Sequence, residues 1–383
     1  MTNQHRHSRT SARPFSVAVL TLMFGALISL NAVAQDTCPE ADSTGVNPAD
    51  PAINNCLQRS SWVTLPGGTY KITATINVTQ SGAEFSSVPG QTATLVGDPS
   101  LVGPIVHAGQ GANNYSVHDL HLDGGLYSGS TCAMRNGNNL AADGSDYSIF
   151  FIASINAPCA NMAVGGDRIH IHDNFLWHSG IPAPQGGPVG DGLDVFFGTG
   201  GEIYSNTISE ATDIGLIMWG GLNRRVHDNR IENHDSYGLA GFNVGSQGND
   251  VPGDHSGSTY ERNHVISDYN MLGIGLLLGA HPWSTAPGDD VSNAGTFINN
   301  DSSGAVINMM VEGIANIEAM YGNTTSNHQG TRGVGTDCND PTGGQDSRYE
   351  YTAWHFGGQI QSGWFGMQAD EVVGLPNACI PQG

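Results

Sequence analysis

Ile203-Tyr204-Ser205-Asn206 is followed 23 residues later by Val226-His227-Asp228-Asn229, and this phrase, an aliphatic or aromatic residue, two others, then Asn, occurs six times. The other copies are Ile171-His172-Asp173-Asn174, Tyr260-Glu261-Arg262-Asn263, Phe297-Ile298-Asn299-Asn300 and Met320-Tyr321-Gly322-Asn323. Successive Asn residues lie 32, 23, 34, 37 and 23 positions apart, so two intervals equal 23 and the others add an insertion. A coil of about 22 residues with lateral insertions is the arithmetic of an all-β chain wound as a single-stranded, right-handed parallel β-helix, or β-solenoid. Stacked amides about 4.8 Å apart can donate to one rung and accept from the next. Asn174, Asn206, Asn229, Asn263, Asn300 and Asn323 are therefore expected to form an internal structural ladder rather than a ligand site.

Composition agrees with a solenoid. There are 53 Gly, charged residues make up 13% and Lys71 is the sole lysine; turns need Gly, Asn, Asp and Ser more than helix formers. Residues 1–34 read as a signal peptide. Arg6, Arg9 and Arg13 precede the apolar run from Phe15 to Leu30, and Ala32-Val33-Ala34 offers a cleavage site. The expectation is export, outside the cell or into the periplasm, without a membrane span. Removing three Arg and no acid takes the formal charge from −22 to about −25. Nucleic acid is excluded as a partner because no basic track exists. The six cysteines include no Cys-x-x-Cys and favour disulfides. Sequence-local pairing gives Cys38 with Cys56, Cys132 with Cys159, and Cys338 with Cys379.

Residues 35–115 read as an N-terminal cap with the first strands, 116–325 as the coils and 326–383 as a C-terminal capping segment, 35–383 being one domain. Within the cap, residues 47–57 are amphipathic and helix-like, and Trp62 to Ile72 reads as strand, tight turn, strand. Leu120 replaces the ladder Asn in a variant first rung. Residues 124–165 break the period and read as a lateral loop with one irregular strand, Ser148 to Ile152. Leu65-Pro66-Gly67-Gly68-Thr69-Tyr70 followed by Ile-x-x-Asn coils resembles the pectate-lyase-like superfamily. That resemblance implies a parallel β-helix and, in most members, action on polysaccharides, but many chemistries share the fold.

A second phrase, Gly-aliphatic-x-aliphatic, precedes the ladder strand as Gly192-Leu193-Asp194-Val195, Gly215-Leu216-Ile217-Met218, Gly238-Leu239-Ala240-Gly241 and Gly273-Ile274-Gly275-Leu276. Side-chain alternation then places Asp194, Ile217, Ala240 and Gly275 in one outward column and Phe196, Trp219, Phe242 and Leu277 in the next. Acids gather at the edge of this sheet: Asp191, Asp194, Glu210 and Asp213. Asp191 and Asp213 are 22 residues apart, one coil, and two close carboxylates push their pKa values apart, the equipment for glycosidic cleavage. The pattern is similar to polygalacturonase-type glycoside hydrolases. Asp191 matches their first Asp and Asp213 the first of an Asp pair, which the resemblance casts as general acid. Ile214 stands in place of the second Asp, Tyr237 in place of a His, and no Arg-x-Lys follows, which puts a uronate substrate in doubt.

The catalytic candidates are thus Asp191, Asp194 and Asp213, with Glu210, His178, His234, Tyr237, Arg224 and Arg225 as secondary ones. Phe196, Trp219, Phe242 and Trp283 are candidate sugar platforms. The loops Ser246 to Ser258 and Ala280 to Asn293 carry Asp250, Asp254, His255, His281, Asp289 and Asp290; calcium is conceivable there, though no cofactor is required. Each acid also has an ordinary reading as a turn former, and the aromatics as surface covered by a loop or another subunit, for example in a trimer. Three functions stay open: a glycoside hydrolase, a lyase or epimerase on a uronate polymer drawing on Arg224 and Arg225, and a non-catalytic glycan-binding solenoid.

Overall fold

The computed structural model describes residues 35–126, 137–181, 189–246, 253–268, 271–279, 292–305, 307–311 and 314–326. The expected signal peptide, the C-terminal capping segment beyond Ser326, Cys132, Cys338, Cys379, Trp283 and most of the two acidic loops lie outside these residues.

Among the described residues the strands assemble into three parallel sheets of ten, eleven and nine strands, called A, B and C here, and a two-stranded pair. Each coil gives one strand to each sheet in turn. Gly201–Tyr204, Thr207–Ala211 and Ile214–Met218 make one coil; Arg225–His227, Arg230–Asn233 and Gly238–Val244 make the next. Inward residues such as Ile203, Ile208, Leu216 and Met218 are fully buried and merge into one continuous core. No coil could bury its apolar face alone, so stacking supplies the stability.

The corner from sheet A to sheet B explains the repeated phrase. The residue before each ladder position is left-handed: Asp173 (φ 54°), Ser205 (54°), Asp228 (54°), Arg262 (51°) and Asn299 (55°). Such a conformation costs about 1 kcal/mol for a side-chain-bearing residue, and it turns the next residue into the core. That residue is Asn. Its Nδ2 donates to the next Asn Oδ1 at 2.9 Å from Asn174 to Asn206, Asn206 to Asn229, Asn229 to Asn263 and Asn263 to Asn300, and at 3.0 Å from Asn300 to Asn323. The second Nδ2 proton goes to a carbonyl of the preceding coil, as from Asn229 to Ile203 at 2.9 Å. The expected ladder is present and its amides are satisfied.

The outer face of sheet A carries a parallel stack of rings, His118, Phe150, His172, Tyr204 and His227, with centroids 4.5, 5.1, 4.7 and 5.2 Å apart. His172 and His227 each meet the neighbouring Asp173 or Asp228 through Nδ1. They are ladder members, as their repeat position suggests, His172 half-buried and His227 buried.

Trp62–Leu65 and Gly68–Ile72 are the expected strand, turn and strand, and they join sheets A and B in parallel with Glu84–Ser87 and Ala93–Gly97. The coils therefore begin at Trp62. Residues 124–165 likewise hold coil strands, Leu140–Ala142, Ser148–Phe150, Ala153–Ala157 and Met162–Val164. In the sheet B register Gly68, Ala93, Leu120 and Ile152 successively occupy the ladder position, so these early coils lack the Asn that marks the later ones. Upstream, helix α1 (Asp50–Arg59) buries Ile53, Cys56 and Leu57, an i, i+3, i+4 stripe, and so covers the first coil, which blunts an otherwise pairing-competent end. The Cys38–Cys56 disulfide anchors it. Cys159 is disulfide-bonded too.

Candidate active site

The acids lie at the corner where sheet B gives way to sheet C. In one coil this corner is only Thr212-Asp213, between Thr207–Ala211 and Ile214–Met218. In the preceding coil the chain passes from Phe175–Ser179 to Gly190-Asp191-Gly192 and then Leu193–Val195. Two hydroxyls lock these corners together. Thr212 Oγ1 donates to the Ser179 carbonyl (2.8 Å) and accepts from the Gly190 N–H (3.0 Å), while Ser179 Oγ donates to the Gly190 carbonyl (3.1 Å). The N–H groups of Thr212 and Asp213 also donate to that carbonyl, at 3.1 and 3.0 Å. Asp191 is thereby fixed one rung from Asp213, and its Oδ1 accepts the Ile214 N–H at 2.9 Å. Ser179 and Thr212 escaped sequence reasoning, because a buried Ser or Thr carries no spacing signal.

Asp194 stands in mid-strand on the outer face, where the Trp219 Nε1–H reaches its Oδ1 at 3.4 Å. Asp191, Asp194 and Asp213 are each half-buried, their carboxyls are crowded by protein, and this desolvation dominates their ionisation. Burial, with the charges of Asp194 and Asp213 added, raises the Asp191 pKa well above the usual carboxylate range, against the opposing Ile214 N–H. Burial lifts Asp194 to about 7; the Trp219 indole opposes this and the Asp213 charge adds to it. Burial alone lifts Asp213 to about 6. No cation contributes to any of the three. Carboxyls so arranged share protons near neutral pH and titrate as a set.

The sheet C register corrects the expected columns. Asp194 pairs with Ile217, Ile217 with Asn243 and Asn243 with Leu277. Phe242 pairs with Leu216 and Leu276. It points into the core at 1% exposure, against Tyr260, so it is no sugar platform. Gly192, Gly215, Gly241 and Gly275 are the equivalent glycines. A Cβ on Gly192, Gly215 or Gly241 would meet Ile208, Ile231 or Val265 of sheet B as well as the carbonyl of the next glycine. Ala240 and Ile274 instead join Ile214, Ile217 and Leu277 in a second apolar cluster, against which Trp219 packs.

The remaining candidates divide. Phe196 is half-buried beside the acids, its N–H bonded to the Val164 carbonyl. Glu210 turns away: its carboxylate accepts the N–H groups of His234, Asp235 and Ser236 at 2.8, 3.1 and 2.7 Å. His234 is bound to Asp268 at 2.8 Å. His178 is half-buried against Asn156 Oδ1 (3.1 Å), and burial lowers its pKa despite the charge of Glu210. Tyr237 is exposed. Arg224 does not face the site. It is 1% exposed, and its guanidinium donates to the carbonyls of Phe196 (2.8 Å), Gly166 (2.7 Å) and Phe197 (3.0 Å), stapling three coils. Arg225 lies on sheet A, paired with Glu261 at 2.6 Å. It borders a groove of about 630 Å³ shared with Asp146, Arg168, His170 and Glu202. The arginines of that groove are paired with Asp146 and Glu261.

Asp254 accepts from Ser256 and from Asn293, and His255 is sealed between Tyr260 and the Gly245 carbonyl. Among the described residues the one trio of His, Cys, Asp or Glu side chains whose ligand atoms all lie within 4.8 Å of one another is Cys38, Glu40 and Cys56; two of these form the disulfide, and the carboxyls of Asp191, Asp194 and Asp213 are spread more widely than that.

No protein-family model matches this sequence and no curated protein does. Among solved structures, the polygalacturonase of Erwinia carotovora ssp. carotovora is similar over 76% of this chain and 85% of its own, with a TM-score of 0.52 and 12% identity. The chain is a right-handed parallel β-helix. The enzymatically active domain of bacteriophage CBA120 tailspike protein 2 superposes with a TM-score of 0.50 at 9% identity, over 74% of this chain and 41% of its own. The Dettilon tailspike protein is matched over 76% of this chain and 65% of its own, with a TM-score of 0.44 and 14% identity. The chain thus spans less than two thirds of the length of either tailspike chain. At these identities the likeness concerns the fold.

Proposed function

We propose that this β-helix acts on a polysaccharide as a glycoside hydrolase, with the corner of Asp191, Asp194 and Asp213 as its catalytic centre. The observation that carries the reading is that the carboxyls of three half-buried residues are held together, with raised pKa values and no cation. Asp191 feels burial and both neighbouring charges, so it holds its proton most firmly and suits the general acid. Asp213 feels burial alone, loses its proton first and suits the base. The acid donates its proton to the glycosidic oxygen as the C–O bond breaks, and the base takes a proton from the water that attacks the anomeric carbon. This order reverses the one implied by the polygalacturonase resemblance, where Asp213 is the acid. Asp194 adds to the upward shift of Asp191 by its charge, and Phe196 and Trp219 offer ring surface beside them.

A uronate substrate is disfavoured. The two arginines that kept elimination open are engaged elsewhere, Arg224 in the core and Arg225 on sheet A. The wild-type protein is incubated with neutral and acidic polysaccharides while reducing ends and the ultraviolet absorbance of a new double bond are followed. Reducing ends without new absorbance are expected; both signals together would point to elimination, and neither would leave a binding protein. Calcium, where bound near Asp254, would brace the loops rather than serve the proposed chemistry, and chelation should lower melting temperature more than turnover. We also propose export, on the basis of the N-terminal segment and the disulfides.

A further inference from the structure

Two ring columns on this solenoid are built differently. On sheet A the inner rings of the His118 to His227 stack, Phe150, His172 and Tyr204, have both faces covered by ring neighbours at 4.5–5.2 Å. On the outer face of sheet B, Phe175 and Trp177 stand two residues apart on one strand, 46% and 39% exposed. The flanking rungs place Ala153 and Ile155 on one side and Thr207 and Ser209 on the other. These side chains are too small or too narrow to cover a ring face. Among the described residues Phe175 stacks on no other ring, and Trp177 meets only His178, at a tilt of 53°. Phe151, 54% exposed at the corner between sheets A and B, instead meets Phe150 of the sheet A stack edge-on at 5.4 Å.

We infer that Phe175 and Trp177 form a second carbohydrate-binding platform on sheet B that receives a neutral stretch of the polymer beside the acid corner. Strand spacing sets the two rings about 7 Å apart, room for consecutive pyranose units to lay their C–H faces on them. The hydroxyl of half-buried Thr207 can meet sugar hydroxyls on the next rung, whereas Ser209 is buried. An uncharged strip on a chain of formal charge −22 suits a neutral glycan and repels a polyanion. The strip also runs into the site, since Ser179, two residues after Trp177, donates to the carbonyl of Gly190, which precedes Asp191. A protein partner would leave the proximity to the acids without purpose. Only the polymer class is taken from the hydrolase reading.

The test uses native affinity gels containing galactan, xylan, glucomannan, β-glucan or polygalacturonate, run with the wild type, Asp191→Asn and the Phe175→Ala/Trp177→Ala double variant. Sedimentation and thermal melts are taken on each. The expected result is retardation of the wild type and of Asp191→Asn by at least one neutral polysaccharide, with Kd raised about tenfold or more in the double variant and an unchanged melt. Retardation without hydrolysis would sink the enzyme reading and leave the platform standing. The platform is overturned if no neutral gel retards the wild type or if the double variant is retarded equally. It is also overturned if the double substitution chiefly dissolves a self-associated species, which would make the strip an interface between copies.

Discussion

The corner between sheets A and B and the corner between sheets B and C are turns of the same coils, yet they treat buried polar groups in opposite ways. At the first, the ladder amides are matched in both directions along the stack. At the second, three carboxyls lie near one another with one backbone donor to Asp191, one long indole bond to Asp194 and a side-chain hydrogen bond between Asp191 and Asp194. A buried polar group is cheap when partnered and costly when not. The Asn corner therefore holds the molecule together, whereas the acid corner destabilises the fold in return for proton-holding groups near neutral pH. Function is more readily sought where polar groups are under-satisfied than where they repeat.

The comparison breaks first at the chemistry. Asp191→Asn and Asp213→Asn should each lower kcat about a thousandfold on whichever polysaccharide the wild type cleaves, with an unchanged fold by circular dichroism. Full activity in both variants would remove the site. Next comes the ladder: Asn229→Ala takes partners from Asn206, Asn263 and the Ile203 carbonyl. It should cost about 3 kcal/mol in denaturant unfolding while activity per folded molecule persists.

The third effect is the pH dependence of stability. Asp194 has a folded pKa of about 7 against 3.8 for the free side chain, so the folded state binds the extra proton between those values. Its penalty is absent below about pH 4, grows as pH rises and is complete above about 7. Asp194→Asn should raise Tm by about 2–5 °C at pH 8 and leave it unaltered at pH 4. His255 has the opposite sign. Burial lowers it to about 4, so its contribution is present above about 6.5 and is lost as pH falls through 4. The smallest effect is that of Trp219→Phe, which removes the N–H that lowers Asp194 and should move the ionisation limb assigned to that group upward by less than about one pH unit.

The Asn ladder could be read directly because an inward Asn after a left-handed residue is rare enough for its spacing to define the coil. Where Leu120 and Ile152 fill that position the marker vanishes, and the coils through 124–165 pass for a loop. The acid trio was legible for the same reason, since Asp191 and Asp213 are one coil apart. The columns failed at Phe242 because Gly238 and Gly241 both open a plausible apolar phrase. Only the contact of Gly241 with Val265 of sheet B selects the second, and that contact lies between sheets rather than within a phrase. Arg224 misled for a comparable reason: an arginine that staples three carbonyls has the same local sequence as one in solvent.

The central claim is that the acid corner holds a proton at neutral pH, and carboxyl-carbon NMR of aspartate-labelled protein reads this directly. The account predicts at least one resonance that titrates at pH 6 or above and disappears in Asp191→Asn, with the remaining pair shifting downward. All aspartates titrating near or below pH 4 would contradict it.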